Sequence, residues 1–149
     1  MPAPLAVDLL IATMTVEQKA SLMSGADVWS SVEHADLGIP GLWLSDGPHG
    51  VRRVDDDVVS PATCFPTESA LGSSWDRDLV GRVGAAIGRK ASSMGVTVLL
   101  CPGINMKRTP VCGRHFEYFS DDPAHTVALG VSYFNGVPSA RFGVFVMPF

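Results

Sequence analysis

An aspartate at the end of a short apolar run is the first residue of this sequence whose position suggests chemistry. The stretch WLSDGPHGVRR, residues 43–53, places Asp46 where a buried strand gives way to a turn. A carboxylate buried without a partner is costly because it loses its hydration. The same turn carries Arg52, one of the neighbouring arginines that are expected to offset the charge of Asp46.

A second candidate lies in CPGINMKRTPVCGRHFEYFSDDP, residues 101–123. A connection of about 20 residues is long for a compact domain, and such loops are usually functional or disordered. Its aromatic residues argue against disorder. Arg114 lies three residues before Glu117, and an arginine fixed by an acid offers a rigid fork of donors. From spacing alone, a structural ion pair that holds the loop is favoured over a binding role.

The elements that position these loops follow from the spacing of apolar residues. The first residues predict two short helices, and Thr15 with Gln18 has the spacing of a capping box at the start of the second. The predicted elements are helices at 5–14 and 15–24, a strand at 42–44, a helix at 76–95, a strand at 96–100, a helix at 122–135 and a strand at 143–146.

From residue 42 onward this order is a βαβαβ pattern, which predicts an α/β fold with a parallel sheet. Asp46 and the 101–120 loop both follow predicted strands, and ligands bind at that edge of parallel sheets. Gly81, Gly84 and Gly88 in the long helix are expected to permit close packing on the sheet. The acidic triplet at 55–57 lacks the spacing of a calcium loop and is interpreted as part of a solvated connection.

Composition excludes several classes of protein. Apolar residues make up 46% of the 149 residues and charged residues 17%, which is typical of globular domains. A net charge of −4 without a basic patch argues against partners such as nucleic acid or an anionic membrane. No GxGxxG or P-loop motif follows a strand, which disfavours a nucleotide-binding domain. No cofactor and no metal site is expected.

The N-terminus and the cysteines bear on location. The N-terminus has no basic region before its apolar residues, so no signal peptide is predicted. Three cysteines without a CxxC spacing are interpreted as free thiols in a reducing compartment. A cytoplasmic protein is therefore expected.

Five motifs in order resemble one enzyme family. LSDGPHGVR, FPTESALGSSWDRDLV, PGIN at 102–105, MKRTPVCGRHFEYFSDDP and YFNGV occur with similar order and spacing in bacterial and fungal β-glucosidases of glycoside hydrolase family 3. The resemblance spans residues 8–139 and leaves a divergent end at 140–149. It implies that residues 1–149 are part of the family's N-terminal domain, namely the first three or so β/α units of an incomplete TIM-type barrel.

The resemblance also implies the function and the residues that serve it. Asp46 and Arg114 are expected to bind the hydroxyl groups of a terminal sugar, with Arg52 as a weaker candidate at the rim. A carboxylate that accepts two hydroxyl protons makes strong, directional hydrogen bonds. The substrate would be a β-glucoside or an oligosaccharide, hydrolysed with retention. His49 and His115 are interpreted as supporting rather than catalytic residues, and Glu117 as the residue that orients Arg114.

Two departures from the family pattern bear on activity. The family's nucleophile lies late in the barrel and its acid/base in a following domain, so no residue of this chain is assigned a catalytic role and the isolated chain is expected to be inactive. Met147-Pro148 stand where the family has a sugar-binding Lys-His pair. The alternative is a non-catalytic module that binds sugar or complements another fragment.

The sequence also bears on the stability of the isolated chain. A three-strand piece of a closed barrel leaves one strand edge without a partner, which favours self-association through that edge. The isolated chain is therefore expected to be marginally stable.

Overall fold

The computed structural model describes residues 7–55, 58–137 and 143–147. The chain divides into two compact units, Met1–Trp43 and Leu44–Phe149. Both candidate loops belong to the second unit.

The first unit contains two short helices and a 3₁₀ turn. Helix α1 spans Val7–Thr13, helix α2 spans Val16–Ser21, and the turn spans Ala35–Leu37. The predicted capping box is confirmed: Gln18 N donates to Thr15 Oγ1 at 3.2 Å, and Thr15 N donates to Gln18 Oε1 at 2.9 Å. These two bonds satisfy backbone donors that the first turn of α2 would otherwise leave without partners.

The second unit alternates strands and helices. Its elements in chain order are β1 Leu44–Asp46, β2 Val54–Asp55, β3 Val58–Val59, α3 Glu68–Ser74, α4 Arg77–Ser93, β4 Val98–Gly103, α5 Pro123–Gly136 and β5 Gly143–Met147.

The main sheet is parallel, as the βαβαβ pattern predicts. Its strand order is β1-β4-β5, with Asp46 opposite Leu100 and Leu99 opposite Val144. The predicted position of the first strand, 42–44, is wrong by two residues, since β1 includes Ser45 and Asp46. The carboxyl ends of β1 and β4 therefore lie on the same sheet edge, and each leads into one of the candidate loops.

Helix α4 confirms the prediction for residues 76–95. Asp76 caps its start by accepting a hydrogen bond from Leu79 N at 2.9 Å, and Gly95 follows its end in the left-handed region at φ 69°. The residues that recur at helical spacing form its buried face: Val80, Val83, Ile87 and Ala91.

The glycines of α4 correct one expectation. Gly81 and Gly84 pack against helix α5 rather than against the sheet: a methyl group on Gly84 would overlap the carbonyl oxygen of Tyr133, and one on Gly136 would overlap that of Gly81. The backbones of α4 and α5 therefore approach each other more closely than side chains at these positions would allow. This contact holds Tyr133, which is fully buried, between the two helices and the sheet.

The connection between β1 and α4 contains more structure than the sequence predicted. The segment at 53–64 includes the antiparallel pair β2–β3, and the seven-residue helix α3 precedes α4. Residues 56–57 of the acidic triplet lie outside the described residues. No helix in the described ranges is long and apolar enough to cross a membrane.

Candidate functional site

A cleft of about 500 Å³ lies where the carboxyl ends of β1 and β4 meet. All three of the predicted site residues line it: Asp46 and Arg52 from the loop after β1, and Arg114 from the loop after β4. The sequence positions of these residues are up to 68 apart, and the parallel register of β1 and β4 brings their loops to one place. We therefore take this cleft as the candidate site.

The loop after β1 is fixed by a buried serine. Ser45 is fully buried, and its Oγ lies 2.9 Å from Asp46 O and 2.7 Å from Arg52 O, both of which can accept its proton. The same Oγ accepts a hydrogen bond from Arg52 N at 3.1 Å, and Arg52 N also lies 3.2 Å from Asp46 O. Ser45 thus closes the turn that presents the side chains of Asp46 and Arg52.

Two further contacts hold this loop from outside. The hydroxyl of Tyr133 in α5 donates to Gly47 O at 3.2 Å, and Phe65 N donates to His49 O at 2.6 Å. A methyl group on Gly47 would overlap the side chain of Leu99, so the loop lies directly on β4. The backbone around Asp46 is therefore held by the sheet, by α5 and by the segment that leads to α3.

The carboxylate of Asp46 is half-buried. No described residue donates a hydrogen bond to it or forms an ion pair with it. No such pair is seen among the described residues, and the pairing of neighbouring arginines with Asp46 stays a prediction. A rigidly held carboxylate without a protein partner, lining a cleft, can accept hydrogen bonds from a ligand.

Arg114 is held by Glu117, as predicted. The 3₁₀ turn His115–Glu117 brings the two side chains together, and Arg114 Nε donates to Glu117 Oε1. This hydrogen bond raises the pKa of the Arg114 guanidinium. The side chain of Arg114 is 47% exposed and that of Glu117 only 16%, so the acid is the more buried partner, and both side chains line the cleft.

His49 supports the site in its neutral form. Burial lowers the pKa of His49, and the negative charge of Glu117 acts in the opposite direction. Its Nε2 accepts a hydrogen bond from Glu68 N at 3.2 Å, which requires that nitrogen to be unprotonated. The ring also lies 5.4 Å from that of Phe116, at an interplanar angle of 44°. These contacts agree with the interpretation of His49 as a supporting residue.

Sequence reasoning missed several residues of this site. Phe116 lines the cleft with half of its surface exposed, and Tyr118 lines it beside Phe116. An aromatic wall facing a few convergent polar groups is typical of small-molecule sites. In the sequence, the alternation of aromatic residues with Arg114 and Glu117 in GRHFEYF could have indicated this aromatic wall. Ser45 gave no such signal because a serine beside a turn is common, and Glu68 gave none because its partner Gly103 is distant in sequence.

A second cleft, of about 630 Å³, has different chemistry. It lies between β4 and α5, and its lining is mainly apolar: Pro102, Ile104, Met106, Val127, Val131 and Phe134 among others. Among the described residues, none lines both clefts and no charged side chain lines the second, so the second cleft offers little to a polyhydroxylated ligand. Among the described residues, no group of three His, Cys, Asp or Glu side chains could hold a metal ion, and the three cysteines are free thiols.

Comparison with known proteins gives a family match over nearly the whole chain. The sequence model described as the glycosyl hydrolase family 3 N terminal domain matches residues 6–146. The chain is 47% identical to thermostable beta-glucosidase B of Acetivibrio thermocellus, over 93% of this chain and 20% of that protein. It is 41% identical to an exo-alpha-(1->6)-L-arabinopyranosidase of Bifidobacterium breve, over 87% of this chain and 18% of that protein.

Solved structures agree in fold. A beta-glucosidase of Bifidobacterium adolescentis superposes with a TM-score of 0.82 at 42% identity, over 91% of this chain and 20% of that one. A beta-glucosidase of Kluyveromyces marxianus in complex with glucose superposes with a TM-score of 0.88 at 33% identity, over 95% and 17% of the two chains. The chain thus spans about a fifth of the length of the relatives it matches, and its partial sheet corresponds to part of their (β/α)₈ barrel.

Proposed function

Because the chain belongs to glycosyl hydrolase family 3, we propose that it provides part of the sugar-binding site of a retaining β-glucosidase, an enzyme that hydrolyses terminal β-D-glucosyl residues. One observation carries this proposal above the others. The carboxylate of Asp46 lines a cleft in which no described residue donates a hydrogen bond to it, and Arg114 lines the same cleft. A pyranose offers adjacent hydroxyl groups that can donate to Asp46 and accept from Arg114.

The catalytic step requires more than these residues. A retaining glycosidase uses two carboxyl groups roughly 5 Å apart, one as nucleophile and one as acid/base. The cleft is lined by Asp46, which we assign to sugar hydroxyls, and by Glu117, which holds Arg114. We assign the nucleophile and the acid/base to regions outside this chain, and we expect the 149 residues alone to bind sugar without cleaving it.

The alternative is a module that binds sugar or complements another fragment without catalysis of its own. In the described residues β5 pairs only with β4, which leaves an edge where a further strand or a second copy could pair. Binding of sugar by the chain alone is expected for both candidate functions. A second experiment adds a β-glucosidase fragment that lacks this region. Hydrolysis of a chromogenic β-glucoside only after this addition would favour the complementing module. A cytoplasmic location stays a prediction.

We expect replacement of Asp46 by asparagine to weaken the binding of D-glucose. A hydrogen bond to a charged group is worth about 1.5–3 kcal/mol, so the Kd should rise by about tenfold to a hundredfold. The measurement is a titration with D-glucose followed by backbone amide NMR, at neutral pH. Asp78→Asn, the same change at an exposed position of α4, should leave the Kd unchanged.

The same titration tests the class of sugar. D-glucose should shift the signals of Asp46 and Arg114 in a saturable way, whereas D-xylose, which lacks the hydroxymethyl group, should bind less tightly. Tighter binding of L-arabinose would point to the specificity named for the Bifidobacterium breve relative. If none of the three sugars shifts these signals at any concentration, the proposed function is wrong for this chain.

Replacement of Arg114 by lysine tests the second binding residue. Lysine keeps the charge but loses the planar fork that Glu117 orients, so we expect the Kd for D-glucose to rise by about tenfold. Arg82→Lys on the exposed face of α4 is the matched control. An unchanged Kd in Arg114→Lys would mean that the Arg114–Glu117 pair serves only to hold its loop together.

A further inference from the structure

Glu68, the first residue of α3, is a fully buried carboxyl group that joins the two loops of the candidate site. Its carboxyl oxygens lie 3.1 and 2.9 Å from the backbone nitrogen of Gly103, the last residue of β4. Its own backbone nitrogen donates to His49 Nε2 in the loop after β1, at 3.2 Å. One residue therefore contacts the loop that carries Asp46 and the strand end that leads to Arg114.

Ser69 adds three contacts to the second loop. Its Oγ lies 2.8 Å from His115 O and 3.3 Å from Tyr118 O, and it accepts a hydrogen bond from Lys107 Nζ at 2.6 Å. His115 and Tyr118 flank the segment that contains Phe116 and Glu117. The start of α3 thus contacts the loop after β4 near its beginning, at Lys107, and again at His115 and Tyr118.

The end of β4 is in close contact with the start of α3 and with the loop that carries Arg114. A methyl group on Gly103 would overlap the carbonyl oxygen of Glu117 and would lie 2.9 Å from Glu68 Oε2. Glu68, Gly103 and the backbone of Glu117 are therefore packed directly against one another. A displacement of the Glu68 side chain must move the residue that orients Arg114.

We propose that Glu68 is a positioning residue of the sugar site, which sets the distance between the Asp46 loop and the Arg114 loop and thereby the affinity for sugar. The proposal rests on the proposed function, because it concerns the same cleft. Glu68 does not line that cleft, so its effect on a ligand must pass through Gly103, Glu117 and His49.

The protonation state of Glu68 gives this role a pH dependence. Burial raises its pKa to about 9; the Glu117 charge acts in the same direction, whereas the Gly103 N–H and Lys107 act against it. At neutral pH the group is therefore an uncharged carboxylic acid. Above about pH 9 it becomes a buried anion near Glu117, and the packing around Gly103 should loosen.

Other titratable groups also face this region. Burial lowers the pKa of Lys107 and of His49, and it raises the pKa of Cys101 to about 12 and that of Tyr133 well above its usual value. Lys107 is the one whose titration could be mistaken for that of Glu68. A readout at Gly103, whose backbone nitrogen contacts the Glu68 carboxyl directly, separates the two.

The test compares two variants of the full chain. Glu68→Gln is a neutral analogue of the carboxylic acid, and we expect it to bind D-glucose at pH 7 within about threefold of the unsubstituted chain. Glu68→Ala removes the acceptor for Gly103 N, and we expect its Kd to be about tenfold higher. Glu17→Gln on the exposed face of α2 is the matched control and should change nothing.

The pH dependence is the readout that a general loss of stability would not reproduce. In the unsubstituted chain the amide signal of Gly103 should titrate near pH 9, together with a loss of D-glucose affinity, and both changes should be absent in Glu68→Gln. If Glu68→Ala keeps its Kd within twofold, or if the alkaline loss of affinity persists in Glu68→Gln, the proposal is overturned.

Hydrogen exchange keeps the proposal testable independently of sugar binding. The Gly103 amide should exchange faster in Glu68→Ala and at the same rate in Glu17→Gln. If D-glucose does not bind the unsubstituted chain, the proposed function fails, and the exchange of Gly103 and of residues 115–118 still decides whether Glu68 holds the loops. If Glu68→Ala does not fold, the alkaline change in the exchange of the Gly103 amide should be present in the unsubstituted chain and absent in Glu68→Gln, and its persistence in Glu68→Gln overturns the proposal.

Discussion

Replacement of Gly84 by alanine should lower the free energy of unfolding by about 1–3 kcal/mol, although alanine is the better helix former. The reason is the close approach of α4 and α5. The new methyl group would overlap the carbonyl oxygen of Tyr133 and crowd two further backbone atoms of that residue. Backbone atoms in a helix cannot rotate away as the end of a side chain can, so the two helices must separate.

The matched control is Gly81→Ala, one turn earlier in the same helix. A methyl group there would lie 3.5 Å from Ser132 O, an ordinary contact. This change should be neutral or should stabilise the chain by up to about 1 kcal/mol through helix propensity. Urea denaturation of both variants measures the difference. Equal midpoints would mean that α4 and α5 are not in the close contact described.

The effect of Gly84→Ala should extend to the candidate site. Tyr133 is fully buried, and its hydroxyl donates to Gly47 O in the loop that carries Asp46. When Tyr133 moves, that hydrogen bond lengthens and the loop loses one of its supports. We expect the amide signals of Gly47 and His49 to shift in Gly84→Ala and to stay in place in Gly81→Ala.

The sequence predicted those features that local patterns determine. The periodic apolar residues of α4 and its caps at Asp76 and Gly95 specify a helix without reference to the rest of the chain. The order of elements then implied a parallel sheet, and the sheet implied that the loops after β1 and β4 meet. Asp46, Arg52 and Arg114 could be assigned to one cleft for that reason, although their roles rested on a resemblance.

The features that the sequence did not predict depend on contacts that no periodic pattern indicates. Ser45 interrupts the apolar run that was interpreted as a strand, because its hydroxyl is satisfied by Asp46 and Arg52 and can therefore be buried. Helix α3 is only seven residues long and contains three serines and a glycine, so its helical signal is weak. Glu68 contacts a backbone nitrogen 35 positions later, and no local pattern indicates such a pair.

The stability of the chain should fall as the pH rises from 7 to 8.5, because of Glu68. In the unfolded chain this carboxyl ionises near its usual pKa of 4.5, whereas in the folded chain burial holds its pKa at about 9. Between these values the folded state binds one proton more than the unfolded state, so a rise in pH favours unfolding. The slope is about 1.4 kcal/mol per pH unit, or about 2 kcal/mol over this range.

The chosen range excludes His49 and Cys101, and the variant Glu68→Gln separates Glu68 from Lys107, whose pKa burial lowers. Burial lowers the pKa of His49 from 6.5, so its contribution to the pH dependence is complete below pH 7, and the folded-state pKa of Cys101 lies at about 12. Urea denaturation at pH 7 and 8.5 should show the loss in the unsubstituted chain and in the exposed control Glu17→Gln. In Glu68→Gln the free energy of unfolding should be nearly constant, since the amide does not ionise. The same loss in Glu68→Gln would show that another group causes it, and that Glu68 is already ionised in the folded chain at neutral pH.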